Sequence, residues 1–243
     1  SIPLTGELMA QCDLTLATGG KPMVKAAYSS GKPAYGVGAG NSTMVIDETA
    51  DVKEAAYNSR VSKTSDFGSG CSADGNLLID AKVYDAMRAA LVAEGGYLCN
   101  DIEKARLERA LWDDNGHRTI DTVAVSAQKI GQIAGIDIPA DRKFIMVEHD
   151  RIGKDQKFSS EKLCVVMALF KFDGFDDALA KVRQVYEVGG KGHSCGIYSF
   201  NNDHIMRLAT VAPVSRMMVR QPQSKANAGA FNNGMPMTSS LGC

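Results

Sequence analysis

The chain of 243 residues carries 27 Lys+Arg against 28 Asp+Glu, a formal net charge of −1, so its charge offers no general grip on nucleic acid or an anionic membrane and points to small-molecule partners. Its six cysteines are scattered singly, with no C-x-x-C pair and no histidine pair at zinc spacing, which argues against a structural metal; His193 and Cys195 together make only half a site. No apolar run reaches the roughly 18 residues of a membrane span, and free thiols without a signal peptide point to a reducing cytoplasm.

Taken in chain order, apolar strand-like runs alternate with amphipathic stretches, which predicts an α/β fold with a mostly parallel twisted sheet flanked by helices and one main domain. The first residues are expected to enter a strand almost at once. Residues 13–17 read as a strand broken at Thr18-Gly19-Gly20, with Pro22 placed to open a helix running to Ser30. A strand, a glycine turn and a helix N-terminus together make a seat for an anion or phosphate. Helical spacing covers 51–65, with Val52, Ala55, Ala56 and Val61 as its buried stripe, and 76–79 reads as a strand. Two helices follow at 82–94, stopped by Gly95-Gly96, and at 101–112, capped by Asn100 or Asp101. A helix at 126–134 and strands at 143–147 and 163–170 come next, the last apolar enough to be buried on both faces. The pattern closes with a helix at 175–188, a strand at 196–199, a helix at 203–210 and a strand at 215–220. From Gln221 the composition turns to Ser, Asn, Gly, Pro and Met and predicts a loop ending at Leu241-Gly242-Cys243, so both ends are expected to be cut from something longer.

Between the helix at 51–65 and the strand at 76–79 lies Phe67-Gly68-Ser69-Gly70-Cys71-Ser72-Ala73. A glycine-rich turn can lift the thiol clear of its helix with only small neighbours beside it, so Cys71 reads as an accessible, low-pKa nucleophile. The competing reading is a small buried hydrophobe, as Cys164 within Leu163-Cys164-Val165-Val166 is expected to be. His193, after Gly189-Gly190-Lys191-Gly192, offers a proton donor and acceptor near neutral pH or, equally, a cap on backbone carbonyls. Glu161 reads as a surface carboxylate paired with Lys162.

The motifs Ala17-Thr18-Gly19-Gly20, residues 23–31, Gly36-Val37-Gly38-Ala39-Gly40-Asn41, residues 45–51, Ser62-Lys63-Thr64, Glu161-Lys162-Leu163, residues 189–194 and Leu241-Gly242-Cys243 occur in an order that resembles the CoA-acylating aldehyde dehydrogenases. The resemblance implies that Cys71 adds to an aldehyde, that hydride passes to NAD or NADP, and that coenzyme A takes the acyl group from the resulting thioester. It implies proton handling by His193, and cofactor contacts from Glu161 to the nicotinamide ribose and from Thr18, Gly19 and Gly20. It puts the backbone N–H of Cys71 in the oxyanion site and the second donor, a side-chain amide, outside this chain. Hydrolytic relatives carry a glutamate where this chain has Gly36, so water lacks its general base and a thiol becomes the acceptor.

By the same resemblance, residues 1–32 are the end of a dinucleotide-binding half and 33–243 a catalytic domain truncated at its C-terminus, from a protein that is a homo-oligomer in full. Arg220 stands where the family commonly has asparagine; a guanidinium there suits an aldehyde with an anionic tail, such as sulfoacetaldehyde, or simply faces solvent. Two other readings stay open: a cofactor-independent Cys/His hydrolase or acyltransferase, and a piece that turns nothing over by itself.

Overall fold

A computed structural model describes residues 1–237. The chain opens with helix α1 (Ile2–Gln11), where a strand is expected: Pro3 in the first turn presets helical φ, and Met9 alone is buried. Strand β1 (Thr15–Thr18), helix α2 (Lys21–Tyr28) and strand β2 (Ala34–Val37) follow, and β1 pairs in parallel only with β2. Their core is small, built on Met9, Ala17 and Ala27 with Ala34 packed against it, and leaves Leu4, Leu8, Leu14 and Leu16 exposed. These two strands form a sheet of their own, and β2 lies just beyond residue 32, where the sequence reading sets the start of the catalytic domain.

The second sheet holds seven parallel strands in the order β5-β6-β7-β4-β3-β8-β9: β3 (Thr43–Ile46), β4 (Asn76–Asp80), β5 (Gly96–Leu98), β6 (Phe144–Glu148), β7 (Val166–Phe172), β8 (Gly192–Tyr198) and β9 (Val214–Val219). Helices α3 (Val52–Thr64), α4 (Tyr84–Ala93), α5 (Asp101–Leu111), α6 (Ala127–Ala134), α7 (Phe175–Val188) and α8 (Asn202–Val211) fill every crossover but that from β6 to β7, which is a long irregular connection with one short 3-10 turn. β3 and β4 are buried throughout, and β7 everywhere except Lys171, as expected of strands covered on both faces.

Several boundaries differ from the sequence reading for visible reasons. Gly95-Gly96 ends α4 but also begins β5, where a Cβ on Gly96 would stand 2.8 Å from the Leu91 carbonyl and from the Phe144 ring. β7 starts at Val166 rather than Leu163, because Leu163 takes a left-handed φ of 49° that no strand allows. β8 starts at Gly192, four residues early, so His193 sits in a strand and not in a capping turn. Beyond Gln221 the expected loop contains one short helix, α9 (Gln223–Ala226), and residues 241–243 lie outside the described residues. Among the described residues no helix is long and apolar enough to cross a membrane.

Candidate active site

Four segments converge where the central strands β7, β4, β3 and β8 begin: Glu161-Lys162-Leu163 before β7, the Cys71 turn before β4, Asn41-Ser42 before β3, and His193-Ser194 in the first residues of β8. The site therefore lies at the amino ends of the large sheet. Residues from the first three segments line one small cavity together with Lys63.

The turn is held in an uncommon shape. After α3, whose first turn is capped by Asp51 accepting from Lys53 and Glu54 N–H, Asp66, Phe67 and Gly68 all take positive φ, at 46°, 50° and 71°. Gly68 has no substitute here, since a Cβ would stand 2.5 Å from the Cys164 carbonyl oxygen. Cys164 is fully buried, as its apolar run predicts, whereas Cys71 is only partly buried. The thiol is not poised at low pKa as the sequence suggests. Burial first, and then the Glu161 carboxylate, push it upward against the opposing pull of the Cys71 and Ser72 N–H groups.

Glu161 belongs to the surroundings of Cys71. Its Oε1 accepts the Gly40 N–H at 2.9 Å, and a Cβ on Gly40 would overlap the Cys71 carbonyl oxygen and stand 2.8 Å from that same Oε1. Burial raises its pKa although Lys63, Lys162 and Arg118 all favour its charged form. The surface pair expected of Glu161 and Lys162 does not form, because Lys162 is 1% exposed and turns inward to the Gly75 carbonyl, the Asn76 amide oxygen and the Ser160 carbonyl. Lys63 is equally buried. Burial lowers the pKa of both lysines.

The glycine run links this cavity to the expected cofactor turn. Thr18 closes β1, Gly20 is the N-cap of α2, and the Gly19 N–H donates to the Val37 carbonyl at 3.0 Å; three residues later Gly40 meets Glu161. A span of three residues is at most roughly 10 Å. Gly36, read from the sequence as the place of an absent glutamate, lies in β2, where a Cβ would meet Val24 Cγ1 at 2.6 Å and Tyr28 Cε2 at 2.8 Å. A side chain at this position would therefore have to displace Val24 and Tyr28 of α2.

His193 is 2% exposed, and its Nδ1 lies 2.8 Å from Ser194 Oγ rather than on the thiol. Burial, and secondarily Arg216, lower its pKa to about 4, so the ring is neutral near neutral pH instead of half protonated as its ordinary value implies. Arg220 is drawn elsewhere: its Nη1 donates to the Ser199 carbonyl at 2.8 Å and its guanidinium lies 4.4 Å from the Phe200 ring centre. It is not among the residues that line the Cys71 cavity.

Sequence reasoning missed Asp74, Ser42 and the inward turn of Lys63 and Lys162. Asp74 is fully buried three residues after Cys71, accepts from Gln223 Nε2 at 2.7 Å, and is pushed by burial up to about 7. Only the motifs Ser62-Lys63-Thr64 and Glu161-Lys162-Leu163 hinted at any of these. A separate group, Asp47, Glu48 and His204, brings its ligand atoms within 4.8 Å of one another. The Asp47 oxygens there already accept from Thr49, Ser199 and His204.

No protein-family model matches the chain. It is 42% identical over 247 residues to a sulfoacetaldehyde dehydrogenase of Acholeplasma sp, covering 100% of this chain and 51% of that protein. An acetylating aldehyde dehydrogenase from Geobacillus thermoglucosidasius superposes with a TM-score of 0.92 at 36% identity, over 95% of this chain and 51% of that one. A propionaldehyde dehydrogenase from Rhodopseudomonas palustris with bound propionyl-CoA superposes with a TM-score of 0.86 at 26% identity, over 98% of this chain and 52% of that one. The chain thus spans about half the length of the relatives it matches.

Proposed function

We propose that this chain, related along its whole length to the acylating aldehyde dehydrogenases, carries the acyl-transfer centre of an enzyme that oxidises an aldehyde to an acyl-CoA thioester. The observation that carries the reading is the meeting of Cys71, Glu161 and Gly40 at the amino ends of the central strands. Cys71 Sγ adds to the aldehyde carbon, with the Cys71 backbone N–H facing the developing oxyanion. Loss of hydride from that carbon leaves a thioester on Cys71, and an incoming thiol then displaces the cysteine. With no side chain at position 36 to activate water, coenzyme A is the acceptor that fits.

NAD or NADP, when bound, supplies the hydride acceptor. The donor set suits it: Thr18, Gly19 and Gly20 form a turn of small residues at the N-terminus of α2, suited to a phosphate. Glu161 supplies a carboxylate for ribose hydroxyls beside the nucleophile. The free thiols of the described residues suit a reducing, cytoplasmic setting, and the whole protein is proposed to be a homo-oligomer.

Acyl transfer can be tested without any nicotinamide. Mixing the chain with propionyl-CoA should place a propionyl group on Cys71 and release free CoA thiol, read by intact mass and peptide mapping. Cys71→Ser should abolish both signals. Absence of acylation in the wild type, or acylation that persists in Cys71→Ser, defeats the proposal, and hydrolysis that outpaces return to CoA would favour a hydrolase.

For substrate we propose an anionic aldehyde, on the strength of the sulfoacetaldehyde dehydrogenase relative. Arg220 enters this only indirectly, through Ser199 and Phe200. If Arg220→Asn leaves the ratio of acylation by anionic and neutral acyl-CoA donors untouched, the residue has no part in specificity.

A further inference from the structure

We infer that Ser194 and Ser42 are positioning residues that lock His193 in one tautomer, with the proton on Nδ1 and the lone pair on Nε2. The geometry stands independently of the acyl-transfer reading, whereas its consequence for the reaction rests on that reading. Three contacts form a chain from the ring to the nucleophile turn. His193 Nδ1 lies 2.8 Å from Ser194 Oγ, Ser194 Oγ lies 3.4 Å from Ser42 Oγ, and Ser42 Oγ donates to the Ser72 carbonyl at 3.3 Å.

The proton assignment follows from the far end of this chain. A carbonyl oxygen can only accept, so the single proton of Ser42 is committed to Ser72. Ser42 Oγ must then accept from Ser194, and Ser194, its own proton spent, can only accept from Nδ1–H. Reversing any one step sets two lone pairs, or two protons, against each other. Nε2 is buried and has no partner among the described residues, so a proton there would be a buried donor without an acceptor. Burial also keeps the ring neutral, as the lowered pKa shows.

The strands keep the chain in register. β3 and β8 are parallel neighbours with Thr43 opposite Cys195, and Ser42 and Ser194 immediately precede those two residues. The Ser42 carbonyl is fixed separately by the Gly75 N–H at 2.9 Å, and the Ser194 carbonyl by the Tyr186 hydroxyl at 2.7 Å. Both backbones are therefore pinned, and only the hydroxyl protons are free to choose.

In the proposed acyl transfer, Nε2 takes the proton of the incoming thiol while that sulfur bonds to the acyl carbon. The Cys71 Sγ–acyl bond breaks, and the proton passes from Nε2 to the cysteine sulfur. Nδ1–H remains on Ser194 throughout. Because the chain ends on the Ser72 carbonyl, the same bonds that set the tautomer also hold the Ser72–Ala73 peptide of the Cys71 turn.

The tautomer can be read directly by long-range nitrogen-15 to proton correlation on the labelled chain at neutral pH, with His193 assigned through His193→Gln and the His149 and His204 signals serving as a check on folding. Nδ1–H is expected in the wild type and in Ser194→Thr, with a shift towards Nε2–H in Ser194→Ala. An Nε2–H ring in the wild type, or an unchanged tautomer in Ser194→Ala, overturns the assignment. In the propionyl exchange assay Ser194→Ala should slow transfer from acylated Cys71 about tenfold, part of the usual general-base contribution, with Ser194→Thr restoring it; an unchanged rate overturns the positioning role. Failure of wild-type Cys71 to acylate strikes the acyl-transfer reading alone, because the spectrum still decides the tautomer.

Discussion

Cys71 has the small, glycine-flanked neighbours of a nucleophile, yet its thiol is held upward by burial and by Glu161. In the proposed acyl transfer, activation would have to come with substrate, when the carboxylate is engaged. This gives a signed prediction: Glu161→Gln removes the repelling charge, so the rate of Cys71 alkylation by iodoacetamide at neutral pH should rise, with its midpoint moving to lower pH. An alkylation profile that does not move would show that the carboxylate exerts no field on the thiol. The residue types at the site were legible in the sequence, but the direction of their pKa shifts was not. Lys162 looks like a surface partner of Glu161 beside it, and only the packed structure turns it towards Gly75, Asn76 and Ser160.

At the level of elements, the site depends on turns that enter the sheet rather than on the strands. Gly68 carries a φ of 71° against the Cys164 carbonyl, and Gly40 packs on the Cys71 carbonyl. Gly68→Ala should therefore cost roughly 1–3 kcal/mol of stability from strain and overlap, read as a lower midpoint in urea unfolding. Gly40→Ala is expected to leave the seven-stranded sheet intact but to displace the Cys71 turn. Acylation by propionyl-CoA should fall more than tenfold, a 1.4 kcal/mol change or larger, and a normal rate would show that the turn tolerates the added methyl. The long helices and apolar strands were readable from periodicity because each buries a continuous stripe. The short strands β2, β3 and β5 were not, since three or four residues carry too little pattern to separate a strand from a turn.

For the molecule as a whole, buried ionisable groups set opposing pH dependences. His193 is depressed to about 4 in the folded state, so between that value and the ordinary histidine range the unfolded chain binds the extra proton, and stability falls as pH drops through this window. A shift of this size corresponds to about 3 kcal/mol. Asp74 is raised to about 7, so there the folded chain binds the extra proton and stability falls as pH rises from the ordinary carboxylate range towards 7. Asp74→Asn, which keeps an oxygen for Gln223, should remove that second slope and stabilise the protein above neutral pH, measured as Tm against pH. An unchanged slope would mean that Asp74 ionises in the fold without cost.

By itself the sequence determined the α/β alternation and the family likeness, and it singled out Cys71 as the candidate, because these rest on local periodicity and on ordered short motifs. The tertiary structure alone decided that β2 belongs with β1, that the site opens at the amino ends of β7, β4, β3 and β8, and that Ser42 and Ser194 tie His193 to the Cys71 turn. The physical reason is separation along the chain. Ser42 and Ser194 lie 152 residues apart, so their contact exists only once strand pairing in a fixed register has brought the two segments side by side.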